Sequence, residues 1–206
     1  MRGARLTAQV MLTLLTILTG SAAADNPRAL VVAGLGGEPE YEIAFQTLAK
    51  DAAEHLRSAE VDVTLLAGED ASSDGVRRQL KALQRTSGTT ALVFLFIGHG
   101  SFDGVAFRFN VAGRDFTAEE LATWLGDASQ TPQLVVVTGS ASGAIHEPLA
   151  APGRTVLTAT RNGDERNVKV FPRFFVEALA SDTADTDKDQ RITATEAFDY
   201  AVAHLR

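Results

Sequence analysis

The chain has 206 residues, 45% of them hydrophobic and 22% charged, and a formal net charge of −7. That length and apolar content can fill one substantial core, and the acidic balance argues against nucleic acid as a partner. There is no cysteine anywhere, which excludes disulfides, thiolate metal sites and thiol catalysis.

The first 24 residues read as a secretory signal peptide: Arg2 and Arg5 give a positive start, an apolar run follows over 10–19, and Ala22-Ala23-Ala24 offers a small-residue cleavage site. The run is about half the roughly 20 residues that a membrane span needs. The expectation is a periplasmic or secreted protein with one domain over 25–206 and no membrane span in its mature part.

From residue 25 onward, short apolar runs alternate with amphipathic stretches, the pattern of parallel strands joined by crossover helices. Strands are predicted at 29–33, 61–66, 92–97, 134–137 and 155–160, each rich in Val, Leu or Ile. The first helix is predicted over 41–57, with Phe45, Leu48, Ala52 and Leu56 along one face. Further helices are expected at 74–85, 117–125, 171–179 and 195–205. Segments 105–110 and 111–114 read as a small hairpin or extended excursion. The fold class is therefore α/β, an open, mostly parallel sheet with helices on both faces.

In such sheets, sites form where loops leave the carboxyl ends of the strands. The first of these loops, Gly34-Leu35-Gly36-Gly37, fails the dinucleotide pattern G-x-G-x-x-G because Pro39 stands at the last glycine. It reads as a tight turn. The loop from Thr138 to Gly143 fails G-x-S-x-G because Ala141 stands at the serine position, so an α/β-hydrolase is disfavoured. His99 ends the most hydrophobic strand between Gly98 and Gly100, a frame that lets a ligand approach the backbone closely. His55, His146 and His204 carry no such signal.

The run Leu92-Val93-Phe94-Leu95-Phe96-Ile97-Gly98-His99-Gly100-Ser101, followed by Val135-Val136-Val137-Thr138-Gly139-Ser140-Ala141-Ser142-Gly143, resembles the caspase, legumain and gingipain clan of cysteine peptidases. The resemblance extends over nearly the whole domain and implies a caspase-like fold. It puts His99 at the general base and Gly100 at the glycine whose amide helps form the oxyanion hole. Ser140 falls where the nucleophilic cysteine stands. It also places the segment with Arg161, Glu165 and Asn167 along the substrate cleft, facing a peptide or protein ligand.

A thiol ionises near pKa 8.5 and needs only a nearby histidine, whereas a serine hydroxyl needs a base in direct contact, usually oriented by a third group. The sequence places no acid behind His99, although Asp103 and Asp115 are near it in the chain. The expectation is a pseudopeptidase that keeps a peptide-binding cleft. The alternatives are a hydrolase working through a Ser140/His99 dyad and a calcium-binding structural or interaction protein.

The last motif stands apart from that resemblance. Residues 185–196 put Asp185, Asp187 and Asp189 at positions 1, 3 and 5 of an EF-hand-like loop, with the carbonyl of Arg191 at 7, Ile192 at 8, Thr193 at 9 and Glu196 at 12. Position 6 normally holds glycine, so Gln190 is expected at φ > 0. A single structural Ca²⁺ is the expected cofactor, with no organic one.

Overall fold

A strand buried on both faces needs apolar residues at every position, and the run Leu92–Ile97 supplies them without interruption. In the computed structural model this run is the centre of a five-stranded, wholly parallel sheet. The structure describes residues 26–86, 91–165 and 170–205. The signal-peptide reading and Asn167 lie outside the described residues.

In chain order, β1 (Arg28–Ala33), α1 (Pro39–Ser58), β2 (Asp62–Leu66), α2 (Ser73–Thr86) and β3 (Leu92–Ile97) come first. Three short strands follow: β4 (Gly100–Phe102), β5 (Phe107–Phe109) and β6 (Phe116–Thr117). The remainder is α3 (Ala118–Leu125), β7 (Gln133–Val137), α4 (His146–Leu149), β8 (Arg154–Thr158), α5 (Phe171–Ala178) and α6 (Ala194–Ala203). The main sheet has the order β2-β1-β3-β7-β8.

Successive side chains of a strand point to opposite faces, and the two cores follow that alternation. Ala29, Val31, Val93, Leu95, Ile97, Leu134 and Val136 join α1, α5 and α6 in one core. Leu30, Val32, Leu92, Phe94, Phe96, Val135 and Val137 join α2, α3 and the small sheet in the other. The sheet thus carries helices on both faces, as the sequence pattern predicts.

The ends of elements move for local reasons. Helix α1 starts at Pro39, earlier than expected, because proline needs no hydrogen-bond acceptor in the first turn. Thr117 caps α3 rather than belonging to it, in a reciprocal capping box with Glu120. Strand β8 stops at Thr158, short of the expected residue 160, where the Thr160 amide turns to the Ser142 hydroxyl at 3.3 Å. The expected excursion over 105–114 holds the middle strand of a three-stranded antiparallel sheet, β4-β5-β6, whose outer strands lie on either side of it in the chain. No helix among the described residues is long and apolar enough to cross a membrane.

Arg154, at the start of β8, ties three element ends together. Its guanidinium donates to Gln133 Oε1 at 2.8 Å, to the Leu149 carbonyl at 3.0 Å and to the Gly126 carbonyl at 2.7 Å. A planar five-donor fork suits this and an ammonium does not. Arg154→Ala should lower the unfolding free energy by about 2 kcal/mol through loss of charged hydrogen bonds, read from urea denaturation with an unchanged m-value. A change within measurement error would remove Arg154 from the set of fold-defining contacts.

Candidate functional site

The parallel pairing of β3 with β7 sets Phe96 against Val137, so the two strands end side by side. The Gly98-His99-Gly100 turn leaves one strand and Thr138-Gly139-Ser140 leaves the other. Thr138 fastens the second turn to the first strand, its amide donating to the Phe96 carbonyl at 2.9 Å and its hydroxyl donating to the same oxygen at 3.2 Å.

The two turns touch through glycines. A Cβ on Gly100 would lie 2.7 Å from the Ser140 carbonyl oxygen and 2.6 Å from the Phe107 ring, and a Cβ on Gly139 would lie 3.0 Å from the Gly100 amide nitrogen. Only residues without side chains permit this approach. The structure therefore brings together Gly100 and Ser140, the pair the sequence singled out from two separate strands.

His99 is half-buried against aromatic rings. Tyr41 and Phe45, one turn apart on α1, meet its imidazole edge-on at centroid distances of 5.2 and 4.9 Å. Among the described residues no carboxylate hydrogen-bonds its ring. Both nearby acids are committed elsewhere. Asp103 accepts from the Val105 and Ala106 amides at 2.9 Å each and pairs with Arg108 at 2.6 Å. The Ala106 amide, then Arg108 and the Val105 amide, hold the Asp103 carboxyl well below the usual range. Asp115 accepts from the Val111 amide at 3.1 Å and lies 3.4 Å from the Asn110 amide group. Both acids fold the small sheet and leave the imidazole to α1.

After Ser140 the chain bends sharply: Ala141 sits in the left-handed region at φ 57°, a conformation that costs a non-glycine residue about 1 kcal/mol or more. Its amide donates to the Glu165 carbonyl at 2.9 Å, which lays the 161–165 loop beside Ser140. Ser142, two residues on, is wholly buried, accepting from the Ala159 amide at 3.1 Å and facing the Thr160 hydroxyl at 3.3 Å. It is a structural serine. Sequence reasoning missed this network, which His146 extends through a 2.9 Å contact with Thr158 Oγ1.

Of the cleft residues expected from the sequence, Arg161 is exposed, and its amide donates to Glu165 Oε2 at 2.9 Å. The Glu165 carboxylate thus ties its own loop. Asn167 lies outside the described residues.

At the other end of the domain, carboxylate oxygens of Asp185, Asp187 and Asp189 lie within 4.8 Å of one another. Gln190 adopts φ 68°, as its place in the loop requires, and its amide donates to Asp185 Oδ2 at 2.9 Å. Lys188 also has positive φ, at 60°, which the sequence did not suggest. The Arg191 amide donates to Asp189 Oδ1 at 2.8 Å, and Ile192 is buried in the α5–α6 core. Glu196, expected at position 12, is not part of this 4.8 Å group. Its Oε1 accepts from the Thr186 amide and hydroxyl at 2.8 Å each, and its Oε2 from the Thr193 amide and hydroxyl at 2.9 Å each. Burial raises the Glu196 carboxyl, but these four donors outweigh it and hold the group at about 2.

The sheet order, the crossovers and the turns at the ends of β3 and β7 define a caspase-like α/β fold. The chain is similar in structure to the Drosophila initiator caspase Dronc, with a TM-score of 0.57 over 86% of this chain and 78% of that one, at 12% sequence identity. No family model matches the sequence, and neither does any curated protein. At that identity the likeness is one of fold, and the chemistry has to be argued from the residues present.

The contact between the two turns has a direct test. Gly100→Ala should push the Ser140 carbonyl and the Phe107 ring aside and cost about 1–3 kcal/mol, as overpacking does. Equilibrium denaturation reads the loss, and a variant as stable as wild type would show that the turns do not bear on each other.

Proposed function

We propose that this is an exported, catalytically inactive peptidase-fold protein that holds an extended peptide or protein segment at the edge of the sheet formed by the ends of β3 and β7. The observation that carries the reading is the combination at that edge: Ser140 in place of a thiol after β7 and, after β3, a His99 whose ring contacts Tyr41 and Phe45 and no orienting carboxylate among the described residues. A serine without a base fixed by a third group loses most of its nucleophilicity. Ligand recognition does not depend on that chemistry: the Ala141 amide, bonded to the Glu165 carbonyl, lays the 161–165 loop beside Ser140, and the side chain of Arg161 in that loop is exposed to a ligand.

Export rests on the leader-like first 24 residues, and the acidic charge fits a ligand that is neutral or basic. The serine-hydrolase alternative requires a hydrogen bond from the Ser140 hydroxyl to the His99 imidazole in the working enzyme.

Covalent labelling separates the two readings. Wild-type protein should resist a fluorophosphonate probe. Ser140→Cys should gain reactivity toward a peptide chloromethyl ketone, falling about tenfold or more when His99→Ala is added, because the imidazole promotes the thiolate. Fluorophosphonate labelling of wild type that disappears in His99→Ala would overturn the inactive reading in favour of the dyad.

A further inference from the structure

An oxygen acceptor buried without a donor is costly and rare in folded proteins. Among the described residues one buried side-chain oxygen has no hydrogen-bond partner, Asp185 Oδ1. Asp185 is only 8% exposed. Its other oxygen accepts from the Gln190 amide, which holds the carboxylate in place, and a carboxylate oxygen of Asp185 lies within 4.8 Å of those of Asp187 and Asp189. A protein that gained nothing from a buried carboxylate here would satisfy or replace it.

The charge around this oxygen is unbalanced. Three carboxylates share a space of 4.8 Å, and among the described residues no Lys, Arg or His forms an ion pair with any of them. Lys188 lies inside the loop, yet its ammonium donates to the Asp182 and Asp185 carbonyls, at 3.2 and 2.5 Å, and forms no ion pair with the acids. Three negative charges this close repel one another unless a cation joins them.

We propose that Asp185 Oδ1 anchors a divalent cation of the calcium class, with the Asp187 and Asp189 carboxylates and the main-chain carbonyl of Arg191 completing the protein's contribution. The donor set is all oxygen and anionic, which suits a hard cation. The alternating spacing 185, 187, 189, 191 is the one by which a short loop wraps Ca²⁺. Mg²⁺, which dehydrates reluctantly and demands near-octahedral geometry, binds such a loop less well. Glu196 plays a different part: its two oxygens close the loop onto α6 through Thr186 and Thr193, so it braces the site that the aspartates form. Because Ile192 is buried in the core that α5 and α6 share with the sheet, a cation in the loop also holds this segment against that core. This inference is independent of the cleft and stands or falls separately from the absence of turnover.

The purified protein should be studied by isothermal titration calorimetry and by thermal melting in about 5 mM CaCl₂, above the range of weak extracellular sites. MgCl₂ and NaCl of matched ionic strength are the controls. Calcium should give a saturable heat and raise the melting temperature by several degrees, magnesium should do so less, and sodium not at all. Asp185→Asn keeps an oxygen for the Gln190 amide and should weaken calcium binding about tenfold or more. The surface variant Asp187→Asn should weaken it too, with the fold intact in either salt, which guards against a folding defect at Asp185. No heat and no shift in wild type would overturn the site, as would calcium binding undiminished in both variants.

Discussion

Everything at the candidate cleft depends on the parallel register between β3 and β7, which sets Phe96 beside Val137 and releases two turns side by side. A slip of one residue would turn the side chains of β3 to the opposite face and part the Gly100 turn from the Ser140 turn. The register is secured by burial on both faces, by Thr138 bonding back to the Phe96 carbonyl, and by the glycine contacts between the turns. The same sheet carries α5 and α6, and so supports the acidic loop at the far end of the domain.

These two regions divide the chemistry of the molecule. At the cleft, the acids nearest His99 in the chain are used by the small sheet. Asp103 and Asp115 lie near His99 in sequence, yet each is held by the small sheet, and the imidazole rests on Tyr41 and Phe45. At the acidic loop the reverse holds. The geometry is closed and braced, and what is unbalanced is charge, with one buried oxygen lacking any donor.

Much of this was legible in the sequence because the governing signals are local. Short runs rich in Val, Leu or Ile announced the five parallel strands, continuous in the central ones and interrupted by Asp62 and Thr64 in β2 and by threonines in β8, and the positive φ of Gln190 followed from its position in the acidic loop. The rest depended on contacts between distant residues. Strands of two or three residues, such as Phe116–Thr117 and Gly100–Phe102, have no periodicity to read, and they pair only because the loop folds over the sheet. The Tyr41 and Phe45 spacing showed a helix face, but nothing in it pointed to His99. Thr193-Ala194-Thr195-Glu196 fits both the end of a calcium loop and a helix capping box. The structure shows the capping box formed, with Glu196 bonded to Thr186 and Thr193.

The central claim is that the cleft binds without turning over. Its most direct test is mass spectrometry of a diverse peptide mixture after prolonged incubation with concentrated wild-type protein, with Ser140→Ala and Ser140→Cys in parallel. The account predicts intact peptides with wild type and with Ser140→Ala. Cleavage products from wild type that vanish in Ser140→Ala would contradict it.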